Sequence, residues 1–97
     1  NDMTTDAIAE PREIAIKRLK IRSMRRGIKE MDILLTAWAD MRLAELDDET
    51  LALYDTLLEE NDQDLYVWVC GREAPPPRFA ALLQEIAQTI QNKAENT

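Results

Sequence analysis

The chain has 97 residues, 45% hydrophobic and 32% charged, with a formal net charge of −7 and a sequence pI near 4.5. That length allows one small core and little room for a deep catalytic cleft, while the acidic balance excludes a general nucleic-acid binder, which needs a basic surface against phosphates. It contains no histidine and one cysteine, Cys70, which removes the commonest general base, every imidazole-activated nucleophile and a zinc site.

Two glycines, four prolines and many Ala, Leu, Glu and Lys residues favour helix throughout, and the expected fold is all-α, a small five-helix bundle with short connections. Residues 1–11 read as a flexible tail, 12–92 as one helical domain and 93–97 as a frayed end. Helix one runs from about Arg12 or Glu13 to Arg25. Its apolar residues, Ile14, Ile16, Leu19, Ile21 and Met24, form no clean stripe, as expected of a partly exposed helix. Helix two, about Ile28 to Ala44, carries the clearest stripe in Ile28, Met31, Leu34, Leu35, Trp38 and Met41. Asp47 or Asp48 caps helix three, which buries Leu51, Tyr54, Leu57 and Leu58. Asn61 or Asp62 caps helix four, which runs through Val69 and is closed by Gly71. The run from Leu65 to Cys70 is β-prone but short, and reads as a buried helix in which Cys70 is a small hydrophobe. Pro77 opens helix five, which presents Phe79, Leu82, Leu83, Ile86 and Ile90 and ends near Asn92.

Charge is unevenly spread. Eight of the 12 basic residues fall between Arg12 and Lys29, and nine of the 19 acidic ones between Glu45 and Asp64, which implies a dipolar field able to orient a charged partner. Asn1 to Glu10 is acidic, unlike a secretory or mitochondrial leader. The bacterial cytoplasm is therefore the expected compartment, ahead of a processed mitochondrial matrix protein. No stretch approaches the roughly 20 apolar residues of a membrane span, so no membrane insertion is expected. The glycines are too far apart for a phosphate-cradling loop, and Asp62-x-Asp64 lacks the glycine-centred loop of a calcium site.

The most informative stretch is Met24 to Asp32. Gly27 stands between two helical segments, where it is expected to end the first in a left-handed conformation and to let two backbones approach closely. Arg25 and Arg26 then fall at the negative end of helix one, and Glu30 in the first turn of helix two.

Arg26-Gly27-x-x-Glu30, preceded by Arg25 and followed by Asp32, resembles the R-G-x-x-E signature of the small assembly factors that promote covalent FAD attachment to the flavoprotein subunit of succinate dehydrogenase. The similarity continues through Leu46-Asp47-Asp48-Glu49, Leu57-Leu58-Glu59 and Asp62-x-Asp64-Leu65-x-x-Trp68, covering roughly Arg18 to Gly71. It implies a chaperone that is no enzyme itself, holds no cofactor tightly, and acts on FAD attachment in its partner, the flavoprotein of succinate dehydrogenase or fumarate reductase. Arg25, Arg26, Gly27, Glu30, Asp32 and Trp68 are then the candidate partner-binding residues. Plain structural roles stand beside these. Gly27 could serve only as a helix terminator, Arg26 and Glu30 could pair with each other for roughly 0.2–1 kcal/mol, and Trp38 and Trp68 could be core. A different helical interaction module, such as an antitoxin or regulatory adaptor, fits the composition equally well.

Overall fold

A computed structural model of the chain describes residues 10–95, with side chains described through Thr89. Five α-helices follow one another within them: α1 (Arg12–Ser23), α2 (Lys29–Arg42), α3 (Asp48–Leu57), α4 (Asp62–Val69) and α5 (Pro77–Glu95), with a 3-10 turn, Leu43–Glu45, after α2. No strand occurs among the described residues, and the β-prone run from Leu65 lies in α4 as a helix. The fold is the expected all-α bundle. Residues 1–9 of the expected tail and 96–97 of the expected frayed end lie outside the described residues, as does the side chain of Ile90.

Local chemistry sets the boundaries. Asp47 accepts the Thr50 backbone N–H at 2.7 Å, and those bonds hold its carboxyl below the usual carboxylate range. Asn61 caps α4 by accepting the Gln63 N–H at 2.7 Å. Gly71 follows α4 with φ of 78°, and the chain turns back so that Arg72 N–H reaches the Val67 carbonyl at 2.9 Å.

The core gathers around α2, which packs against α1, α4 and α5. Trp38, Tyr54 and Phe79 are fully buried, and the Trp38 and Tyr54 rings meet at 4.8 Å between centroids, tilted by 47°. Both polar tips are satisfied. The Trp38 indole N–H donates to Glu85 at 3.1 Å, and the Tyr54 hydroxyl shares a 2.6 Å bond with Ser23, whose Oγ also donates to the Leu19 carbonyl. Burial pushes the Tyr54 phenol up to about 12. The α2 stripe departs from expectation at its end. Met41 is 56% exposed because the direction set by Trp38 rotates off the seam, and Ala39 and Leu43 reach the core instead.

α1 is held differently. It buries only Leu19 and Ser23, while Ile14, Ile21 and Met24 are exposed. Its arginines reach across to acids: Arg12 to Asp48 at 2.8 Å, Arg18 to Asp55 at 2.9 Å, and Arg22 to Asp55 and to Glu59, the latter at 2.7 Å. The basic and acidic runs, read from the sequence as two poles, are in large part each other's partners.

The Arg18 guanidinium beside Asp55 holds that carboxyl below its ordinary value of 3.8. A carboxylate depressed in the folded state lends stability that is present above the unfolded pKa and lost as pH falls through the folded one. The thermal midpoint should therefore drop as pH is lowered from roughly 5 toward 2. Asp55→Asn should flatten that part of the curve while lowering the midpoint at neutral pH; an unchanged acid slope would show that the Arg18–Asp55 pair carries none of it.

Candidate functional site

α1 ends at Ser23, short of the expected Arg25, so the basic residues of its last turn are Lys20 and Arg22 rather than Arg25 and Arg26. Met24 is extended, and the left-handed residue is Arg25, with φ of 59°, not Gly27. An L residue in that region costs roughly 1–2 kcal/mol, and a carboxylate offsets it. Asp32, in the first turn of α2, accepts the Arg25 backbone N–H at 2.9 Å and the Thr36 hydroxyl at 3.3 Å. The turn thus depends on a side chain seven positions downstream, which periodicity does not reveal.

Gly27 answers a different need. Its N–H donates to Oδ2 of Asp62, and a Cβ at this position would stand 3.1 Å from that same oxygen. The glycine leaves room for a carboxylate that a Cβ would crowd, and does not serve through freedom at positive φ.

The other oxygen of Asp62 accepts from Arg26 Nε at 2.8 Å. Arg26 also donates to the Arg22 carbonyl at 2.9 Å and to the Leu58 carbonyl at 3.3 Å. One guanidinium therefore joins the ends of α1 and α3 to the start of α4. Only 12% of the Arg26 side chain and 17% of the Asp62 side chain are exposed, so this pair lies closer to a buried ion pair than to a surface one.

Glu30 is exposed in the first turn of α2, and none of the ion pairs among the described residues includes it or joins it to Arg26. Tyr66 of α4, four residues after Asp62 and so on the same helix face, is close enough to feel the Glu30 charge. The Tyr66 phenol is raised chiefly by the neighbouring Cys70, with the Glu30 charge contributing in the same direction, and the Arg72 guanidinium lies 5.7 Å from its ring centre. Cys70 is exposed, which corrects the expectation of a small buried hydrophobe: it is the residue after α4, where the helix has turned past its buried side.

Five of the six candidate residues, Arg25, Arg26, Gly27, Glu30 and Asp32, are thus brought together at the α1–α2 corner. Trp68 is not among them. It is half-buried, with its ring 6.4 Å from that of Phe79 on α5, about 200° around α4 from Tyr66. The residue left out of the candidate site is Asp62, quoted in the resemblance and read locally as a cap. A signal was available. Asn61 and Asp62 are two cap candidates where one suffices, and Arg18, Arg22 and Arg26 recur every four residues opposite Asp55, Glu59 and Asp62.

Because Arg26 is bonded inward and Glu30 is not, their alanine variants should separate. Arg26→Ala should lower unfolding free energy in urea by on the order of 3 kcal/mol, since it strands a largely buried carboxylate. Glu30→Ala should stay within about 0.5 kcal/mol of the parent. Equal losses would mean that both residues serve the fold.

Residues 17–93 match the family model described as the flavinator of succinate dehydrogenase. The chain is similar to the protein named "Succinate dehydrogenase assembly factor 2, mitochondrial" of Drosophila grimshawi, with 32% identity over 90 residues, or 91% of this chain and 59% of that protein. The protein of the same name in Aspergillus terreus is 47% identical over 58 residues, 60% of this chain and 19% of that protein, and the one in Meyerozyma guilliermondii is 38% identical over 88 residues, 90% and 65%. The chain therefore spans under two thirds of the length of each of these relatives. Their names place them in mitochondria, which overturns the expected bacterial cytoplasm. The acidic character of Asn1 to Glu10 is no guide to the compartment, because a presequence that is removed leaves its charge in the discarded piece. Among the described residues no helix is long and apolar enough to cross a membrane.

Proposed function

This chain belongs to the family of succinate dehydrogenase flavinators, and from that premise we propose that it binds the flavoprotein subunit of succinate dehydrogenase, or of the related fumarate reductase, and promotes covalent FAD attachment there. On this reading it works in mitochondria, as its relatives' names indicate. The observation that carries the reading is the α1–α2 corner. A short segment is clamped from both sides by the carboxylates of Asp32 and Asp62, and it carries an exposed cation, Arg25, and an exposed anion, Glu30.

The bond-making chemistry belongs to the flavoprotein, and this chain is no enzyme on its own. What its residues supply is position. A surface with fixed charges of both signs can dock in one orientation only, and holding reacting groups in line is worth several kcal/mol without any new catalytic group. Glu30 offers a carboxylate to a donor on the partner, and Arg25 offers a guanidinium to a carboxylate or carbonyl. Gly27, lacking a side chain, lets the partner's surface come close to the backbone between them. Asp32 takes part by setting the Arg25 turn, and Trp68 is a more distant contact, if the interface reaches the α4–α5 edge.

The test is co-expression with a succinate dehydrogenase flavoprotein in a host without its own flavinator, followed by in-gel flavin fluorescence of the denatured subunit. The parent chain should raise covalent flavin severalfold. Glu30→Ala should lose most of that gain while keeping its stability, and Gly27→Arg should lose all of it. Equal covalent flavin with and without the chain refutes the proposal, and capture of a different protein as the main partner would favour an adaptor of another kind.

A further inference from the structure

We infer that Asp62 is a positioning residue for the docking corner, and that Arg26 acts from inside the fold while Arg25 and Glu30 meet the partner. The inference rests on the proposed function. Three observations carry it. The α4 cap is made by Asn61, which accepts the Gln63 N–H, and Asp62 takes no part in that bond. Both Asp62 oxygens turn instead to the α1–α2 segment, one to the Arg26 guanidinium and one to the Gly27 N–H. A Cβ at position 27 would stand 3.1 Å from the second of these oxygens, a contact tight enough to crowd it.

A single carboxylate thus fixes two successive residues of the corner. Arg25 precedes them directly, and Glu30 follows at the start of α2. With Asp62 neutral, the Arg26 guanidinium loses its counter-charge, and the segment keeps the Arg25 N–H bond to Asp32, the Arg26 bonds to carbonyls and at most one weaker, uncharged acceptor at position 62. Because Asp62 belongs to α4, it also ties the corner to the helix that carries Tyr66. The partner then meets one surface built from two elements rather than a loop that moves independently of α4.

The experiment uses the purified full chain and the flavoprotein subunit. In nitrogen–proton spectra, Asp62→Asn should shift the Gly27 amide and the Arg26 Nε–H resonances upfield, as loss of charge-assisted bonds requires. Affinity for the flavoprotein should fall about tenfold for Asp62→Asn and about tenfold for Glu30→Ala. The double variant should be no weaker than either alone, while their effects on the urea midpoint add. Asn61→Ala is the comparison for a purely structural loss: its midpoint should fall while the folded chain binds as the parent does.

Gly27→Ala crowds the Asp62 carboxylate without removing it, and should move the same two resonances and weaken binding even if Asp62→Asn does not fold. Parent-like affinity in Asp62→Asn or in Gly27→Ala overturns the inference, as does a double variant in which the two losses multiply. A parent chain that captures no flavoprotein overturns the functional proposal and takes this inference with it.

Discussion

The organisation of this molecule depends on a row of guanidinium–carboxylate contacts. α1 has too little buried apolar surface to be held by the core alone, with Leu19 its one large side chain that is fully covered. Arg12, Arg18, Arg22 and Arg26 supply the rest by reaching acids at Asp48, Asp55, Glu59 and Asp62. Singly, exposed pairs of this kind contribute little. Here they share partners: Arg18 and Arg22 both bond Asp55, and Arg26 adds two main-chain carbonyls to its carboxylate. Lysine offers one compact charge and could not make these forked contacts, so the residue type matters as much as the sign.

The row ends where the corner begins, and the change in burial marks the change of role. The Arg12 and Arg18 side chains are similarly open, Arg22 is less so, and the last contact, at Arg26, is the most enclosed. Just before it the chain makes a left-handed turn at Arg25's own backbone, held by Asp32, and after it returns to helix with Glu30 in the open. Structural and exposed charges therefore alternate within six residues. That alternation explains how a motif of common residue types can be specific: the same letters on an unbraced loop would present no defined geometry.

Much of this was legible in the sequence. The stripes of α2, α3 and α5, the caps of α3 and α4 to within two candidates each, and the placement of Pro77 all follow from local rules, because each concerns residues within one or two turns of one another. What escaped were relations over long separations. The Arg26–Asp62 pair spans 36 positions, and the Arg25 turn is decided by Asp32 rather than by the nearby glycine. A glycine between helices invites the left-handed reading, but tight approach to another element is an equally good physical reason for one. Met41 and Cys70 show a milder form of the same limit, since whether the end of a stripe is covered depends on what neighbouring helices reach.

The contact between Gly27 and Asp62 also couples the histories of two positions. A lineage that acquires a side chain at 27 crowds the acid at 62, and one that shortens the acid first strands the guanidinium beside it. Neither step is neutral when taken alone, so the pair is locked against gradual drift even though no covalent link joins them and 35 positions separate them along the polymer.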